Sequence, residues 1–255
     1  MCLFMNPKIT LITVTYQSAS TLQTTIDSVR RQNCSNIEYI IVDGGSTDDT
    51  LDIIRNNQDV VDHWISETDD GTYDAMNKGI GLASGDIVGF LHADDVFASP
   101  EVLDRVCQRY EESSFHILYG DLEYVKPEDI KSVVRYWRSG SFRRRQLQRG
   151  WMPPHPTVYV DRRFFKKVGH YNLDFRISAD YEWLLRALSR PTARVEYLPE
   201  VMVRMRMGGL SNGSLKNVVV KSVEDFKALR ENEVGGVATL FLKNASKVSQ
   251  FVRRN

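Results

Sequence analysis

The chain has 255 residues, 42% of them hydrophobic and 26% charged, which provides for a sizeable core and excludes a disordered or fibrous protein. Its formal charge of zero hides a division: residues 1–130 carry 8 Lys and Arg against 23 Asp and Glu, and residues 131–255 carry 25 against 10. Two halves with different neighbours are therefore expected.

Cys2, Cys34 and Cys107 form no CxxC pair and no even framework, so neither disulfides nor a thiolate zinc site is expected, and a reducing cytosol fits. "MCLFM" ahead of Asn6-Pro7 is too short for a signal segment, and no run approaches the ~20 apolar residues of a membrane-spanning helix.

"ITLITVTY" is β-branched and almost wholly apolar, as a strand buried on both faces should be, and Leu22, Ile26 and Val29 behind it have helical spacing. The alternation repeats. "IEYIIVDGG" and "DDTLDIIRNN", then "VVDHWISE" and "YDAMNKGIGLA", then "DIVGFLH", read as strand, helix, strand, helix, strand. This order predicts a mainly parallel sheet with right-handed crossovers. A helix is expected at about 100–112, with Ser99 as its N-cap and Pro100 at its first position. "HILYGDLEYV" and "SVVRYWR" read as strands, "ADYEWLLRAL" as a short helix and "ARVEYLPEVMVRMRM" as a returning strand; 214–231 and 237–252 read as terminal helices.

Ligands of an open parallel sheet bind beyond the carboxyl ends of its strands. Those ends carry Thr15-Tyr16, Asp43-Gly44-Gly45-Ser46, Glu67 with Asp69-Asp70, and His92 with Asp94-Asp95, so one sheet edge is expected to be strongly acidic. The first strand-to-helix turn, "TYQSAST", has no glycine, and no phosphate-binding lysine motif occurs. A nucleotide here would need a divalent cation on carboxylates instead, and Asp94 and Asp95 offer the oxygen ligands that Mg²⁺ and Mn²⁺ prefer. Asp43 reads equally well as a turn aspartate, and His92 as a hydrogen-bonded structural histidine.

"TVTYQSASTLQTTIDSV", "YIIVDGGSTDDTLDII", "ETDDGTYDAMNKGIGLASGDIVGFLHADD" and "ISADYEWLLRAL" together resemble the successive motifs of the family 2 glycosyltransferases over about residues 8–210. "DGTYDAMNKGI" followed by an acidic pair most resembles bacterial enzymes that build exopolysaccharide, capsule or O-antigen units. The resemblance implies a GT-A fold: Rossmann-like α/β, a mainly parallel mixed sheet flanked by helices, here with a C-terminal helical extension. It implies a glycosyltransferase domain over 1–212, with a nucleotide-sugar half at about 8–115 and an acceptor half at about 116–212, followed by a helical segment, 213–255.

By the same resemblance, Thr15 and Tyr16 begin the nucleotide pocket, Asp43 bonds the base, typically uracil, and Asp69 leads into the sugar-nucleotide helix. Asn77 and the nearby Lys78 stand in a motif that often reads Ala-Arg-Asn, with Met76 at the arginine. The family's DxD motif falls on His92-Ala93-Asp94, which makes Asp94 the metal ligand and puts His92 where an aspartate is usual. Asp180 matches the base that activates the acceptor hydroxyl in inverting members, with Ala179 where a glutamate is common; Glu182 is expected to be structural. His155, between prolines in "GWMPPHPTVYV", is a further candidate near the phosphates, metal or acceptor. Arg204 and Arg206 are candidates to fold over the donor diphosphate.

Lys131 to Lys167 hold eleven cationic side chains opposed by Asp161 alone, with Trp137, Phe142 and Trp151 interleaved. No nucleic-acid motif accompanies them, and the acidic half would repel a polyanion, so nucleic acid is not expected. An anionic membrane surface or a lipid-diphosphate acceptor fits better. The expectation is an inverting, metal-dependent enzyme that uses Mg²⁺ or Mn²⁺. It would transfer a sugar from a nucleotide sugar, UDP-linked, to a lipid-linked or growing glycan, in the cytoplasm or at the inner face of the membrane. A nucleotidyltransferase and an inactive sugar- or membrane-binding scaffold are the alternatives.

Overall fold

The structure, a computed structural model, describes residues 6–208 and 215–252. The first half alternates as read: β1 (Ile9–Thr15), α1 (Leu22–Arg30), β2 (Ile37–Asp43), α2 (Thr50–Arg55), β3 (His63–Ser66), α3 (Thr72–Leu82) and β4 (Ile87–Phe90). There follow β5 (Val96–Phe97), α4 (Val102–Ser113), β6 (Ile117–Lys126), β7 (Asp129–Trp137) and two 3-10 turns, Arg144–Arg149 and His155–Thr157. The described chain ends with β8 (Tyr159–Asp161), α5 (Arg162–Val168), α6 (Ala179–Leu188), β9 (Val195–Arg206), α7 (Leu215–Glu231) and α8 (Val237–Val252).

One mixed sheet runs β3-β2-β1-β4-β8-β6-β9-β5, with β7 added to β6. Its N-terminal half is parallel: β1 pairs with β2 and β4, and β2 with β3. Antiparallel β8 joins this half to β6, which runs parallel to β9. All seven residues of β1 are buried, because both faces of the sheet are covered. Ile12 and Val14 pack with Ala75, Met76 and Ile80 of α3 on one side; Ile9 and Leu11 pack with Leu22, Ile26 and Val106 on the other. Each such side chain contributes roughly 1.5–3 kcal/mol by leaving water. Gly79 lets α3 sit close on the sheet, since a Cβ there would lie 2.6 Å from Ile12 Cγ2.

Two details differ from the sequence reading. Helix α4 begins at Val102 with Glu101 as its N-cap, so Ser99 and Pro100 precede the helix rather than cap it. Their carbonyls instead accept hydrogen bonds from Gln32 Nε2 (2.8 Å) and the Asn33 amide (2.9 Å), anchoring the end of α1. Strand β5 is new; at two residues it is too short for any periodic signal.

The terminal helices fall where the pattern put them, as a C-terminal extension that packs on the rest of the chain. Ala228, Leu229 and Val234 join the core that contains α6, and α8 packs on the first 3-10 turn and on β7. The expected boundary at 212/213 lies outside the described residues.

Candidate active site

Register brings Thr15 beside Asp43 and Asp43 beside Ser66, so the ends of β1, β2 and β3 form one ledge. Asp43 is fully buried and turned into its own loop. Its Oδ2 accepts from the amides of Gly45 (3.1 Å) and Ser46 (2.9 Å) and from Ser66 Oγ (2.7 Å), and its Oδ1 from Ser46 Oγ (2.5 Å). Asp43, expected to bond the base, here uses its carboxylate to order the turn. Gln17, held at a positive φ of 51°, donates its amide to Ser46 Oγ and leaves the preceding Tyr16 ring 63% exposed. Asp69 closes on Gly44 beside that ring: a Cβ on Gly44 would lie 2.5 Å from Asp69 Oδ2 and 3.5 Å from Tyr16 Cδ2. Asp69 Oδ1 accepts from the Gly71 amide at 2.9 Å. Thr15 Oγ1 is buried with no partner.

Strand β4 delivers the acidic turn. Asp94 is half-buried, and nothing among the described residues hydrogen-bonds its carboxylate. Asp95 differs: it is 1% exposed and its Oδ1 accepts from the Arg206 amide at 3.3 Å, so it faces β9. Burial first, and then the charge of Asp94, push the Asp95 carboxyl well above its usual range despite Arg206. Asp95 is thus closed off and faces β9, and of the expected metal pair Asp94 has the more open carboxylate. No group of three or more potential ligands occurs among the described residues. An ion here would take one protein carboxylate, Asp94, and complete its oxygen shell from a ligand, a habit of Mg²⁺ and of oxygen-preferring Mn²⁺. On that donor set the turn fits such an ion.

Asp180 opens α6 and is half-buried. The Tyr73 hydroxyl, from the first turn of α3, donates to its Oδ1 at 2.9 Å and lies 2.8 Å from the Ile177 carbonyl. Burial raises the Asp180 carboxyl, but the charge that His155 takes up in acid, the charge of Lys221 and the Tyr73 hydrogen bond outweigh it and hold the group below its usual range. His155 lies between the rings of Phe90 and His92, with centroids at 5.9 and 5.8 Å, and its Nε2 is 3.0 Å from Tyr171 Oη. Burial pushes His155 down to about 4, against the pull of Asp180, so its ring is neutral at pH 7. His92 is lowered by burial too, with Asp94 and Asp180 opposing. A half-buried carboxylate, Asp180, thus lies near two histidine rings that are held toward their neutral forms, one of which also feels Asp94.

The model of the family described as "Glycosyl transferase family 2" matches residues 10–171. The chain belongs to that family. A PGL/p-HBAD biosynthesis glycosyltransferase of Mycobacterium tuberculosis is 33% identical over 213 residues, covering 81% of this chain and 80% of that protein. An uncharacterized glycosyltransferase of the same species is 36% identical over 183 residues, 71% of this chain and 69% of the relative. The fold is that of S. aureus TarS 1-349 (TM-score 0.67, 17% identity, 89% of this chain and 64% of that one). It is also that of the mannosyltransferase PcManGT from Pyrobaculum calidifontis, solved with GDP-Man and Mn2+ (TM-score 0.64, 16% identity, 98% and 76%). These neighbours are GT-A glycosyltransferases, as the motifs implied.

Three donor-site candidates of this family 2 glycosyltransferase have other partners. Asn77 exchanges both hydrogen bonds with the Tyr171 backbone, each 2.9 Å, so its amide ties α3 to the loop ahead of α6. Lys78 is held by Glu67 (2.9 Å), Asp74 (3.2 Å) and the Thr68 carbonyl (3.2 Å), which braces the turn that carries Asp69. Arg206 ends β9 and donates to the carbonyls of Asp94 and of Pro127 (Nε, 3.1 Å), so it supports the acidic turn from behind. Residues 209–212 of its expected flexible segment lie outside the described residues. Arg204 pairs with Glu123 at 3.0 Å, and Glu182 with Arg186 at 2.9 Å, the latter as expected of a structural residue.

Tyr73, Tyr171 and Gly44 escaped the sequence reading. Tyr73 carries the one signal that could have found it, standing one helical turn after Asp69. On the basic half, Lys131, Arg138, Arg143, Arg144, Arg145, Arg149, Arg163, Lys166 and Lys167 are exposed, and Phe241 of the adjoining α8 is 71% exposed. No described helix is long and apolar enough to cross a membrane.

Proposed function

We propose that this glycosyltransferase inverts the anomeric centre of a UDP-sugar by moving the sugar to a hydroxyl of a lipid-linked or growing bacterial surface glycan. The observation that carries the reading is the half-buried Asp180 carboxylate, held at one oxygen by Tyr73 and, like the half-buried Asp94, near enough to His92 for its charge to act on that ring. Asp180 takes the acceptor proton on its second oxygen; the freed alkoxide forms the new bond to the anomeric carbon as the bond to the diphosphate breaks. Asp94 would hold Mg²⁺ or Mn²⁺, which when bound supplies Lewis-acid neutralisation of the diphosphate. Incubation with UDP- and GDP-sugars, Mn²⁺ and glycolipid acceptors tests this. Release of nucleoside diphosphate with a product of inverted configuration is expected; retained configuration, or no release with any donor, would sink the reading. Family membership sets the nucleotidyltransferase alternative aside.

The base is read at the place where Tyr16 and Asp69 meet over Gly44. The Tyr16 ring is a platform for a planar base, and Asp69 Oδ2 is placed to accept a ring N–H such as that of uracil. Losing a charged hydrogen bond of about 1.5 kcal/mol raises the donor KM roughly tenfold in Asp69→Ala. Gly44→Ala, whose methyl displaces the Asp69 carboxylate, does the same. An unchanged donor KM in both variants would remove Asp69 from the base site.

The acceptor approaches over the basic half. The 3-10 turn with Arg144, Arg145 and Arg149 lies against α8, where Val237, Phe241 and Leu242 are exposed, so cations and apolar side chains share one region suited to anionic lipid. In flotation with vesicles of phosphatidylglycerol and phosphatidylcholine, the protein should rise with the anionic vesicles and lose most of that binding in Phe241→Glu. Equal binding to neutral vesicles, or none to either, contradicts the membrane face.

A further inference from the structure

The helix that carries Asp180 lacks a cap of its own. Its N-cap residue, Ser178, makes no side-chain capping bond, and the Ser178 hydroxyl is buried with no partner. The amides of the three residues that lead into this helix are taken from outside. Glu224, in the middle of α7, accepts from the Arg176 amide on Oε1 (2.9 Å), and from the amides of Ile177 (2.8 Å) and Ser178 (2.9 Å) on Oε2. One carboxylate thus fixes three consecutive peptide groups that end two residues before Asp180. The Tyr73 hydroxyl, which donates to Asp180, also lies 2.8 Å from the Ile177 carbonyl of this segment.

A buried clamp fixes α7 itself. Asp225 and Lys243, each 2% exposed, pair at 2.7 Å between α7 and α8. The Lys243 ammonium also lies 3.1 Å from the ring centroid of Tyr181, the residue after Asp180. Gly150 admits this lysine, since a Cβ there would lie 2.4 Å from Lys243 Cβ. Such a pair, once formed, is costly to break because either partner alone would be an uncompensated buried charge. Lys221, one turn before Glu224, is near enough for its charge to act on Asp180.

From this geometry we infer that Glu224 is a positioning residue for the Asp180 base, and that the C-terminal helix pair is part of the catalytic apparatus. The inference rests on Asp180 being the base, as proposed above. Glu224 touches no substrate; it acts by holding the 176–178 backbone, so that the Asp180 side chain leaves the helix start in one direction. Small displacements of a base lower turnover more than binding.

The test compares the full-length wild type with Glu224→Ala, Glu224→Gln and, as a control on the same helix, Glu231→Ala, whose partner Lys227 is 3.8 Å away at the surface. Glu224→Ala should lower kcat about 10- to 100-fold with donor KM within about twofold. Amides of residues 176–180 should exchange hydrogen faster, Glu224→Gln should recover part of both effects through its remaining carbonyl oxygen, and Glu231→Ala should match the wild type. Unchanged exchange at 176–180 in Glu224→Ala overturns the inference, as does an unchanged kcat in an active enzyme, or an equal fall in Glu231→Ala. If the wild type turns over no donor, the functional reading fails separately, and exchange alone decides whether Glu224 holds the segment.

Discussion

Asp180→Asn lowers kcat about 10³-fold and leaves the donor KM within about threefold. The substitution keeps the shape of the side chain and an oxygen to accept from Tyr73, so the bond from α3 to α6 survives and the loss falls on proton transfer. The pH dependence follows from the environment of the group. Burial would raise the Asp180 carboxyl, but His155, Lys221 and the Tyr73 hydroxyl together hold it below its usual value of 3.8. A base whose pKa is lowered stays ionised as pH falls until that lowered value is reached. His155, pushed down to about 4 by burial, stays neutral over the same window. The rate should therefore be level between pH 8 and 5, with the midpoint of the loss due to Asp180 below 3.8. A kcat profile that falls with a midpoint near 6 and persists in Asp180→Asn would assign the base elsewhere; so would an Asp180→Asn enzyme of ordinary activity.

The parallel half of the fold was legible because its strands are buried on both faces and its helices have one apolar stripe, which are patterns local to ten residues or so. Strand β5 lacked such a pattern: two residues take their conformation from the neighbours they pair with. The site divides in the same way. Asp94 and Asp180 could be located because strand ends and helix starts are where a chain presents side chains. Which way a side chain turns was not legible. Asp43 and Asp95 stand on the ledge in sequence, yet one is drawn under by its own turn and the other by the β9 amide. Asn77, Lys78 and Arg206 have the chemistry of ligand-binding residues, and the fold gives each partners 10 to 112 positions away. Glu224 could not have been found at all, since α7 meets α6 only through the tertiary fold. Gly44 is the reverse case, where a missing side chain makes room for Asp69.

Asp94→Ala is expected to lower turnover about 100-fold at a fixed, low Mn²⁺ concentration and to shift the Mn²⁺ needed for half-maximal rate upward by about tenfold. The reason is the poverty of the site. Asp95 is closed off behind it, His92 is held toward its neutral form by burial, and no described group of three or more acidic, histidine or cysteine side chains could hold an ion without help. One carboxylate and the donor's own oxygens must then do the holding, so losing Asp94 removes the protein's share. Two consequences separate this from damage to the turn. Chelation with EDTA should abolish wild-type turnover, and excess Mn²⁺ should restore it. Asp95→Asn should instead leave the Mn²⁺ requirement unchanged while lowering thermal stability slightly, because Asp95 contacts the Arg206 amide of β9 rather than the cleft. Full wild-type activity in EDTA would remove the metal from the mechanism; a raised Mn²⁺ requirement in Asp95→Asn would return that carboxylate to the ion.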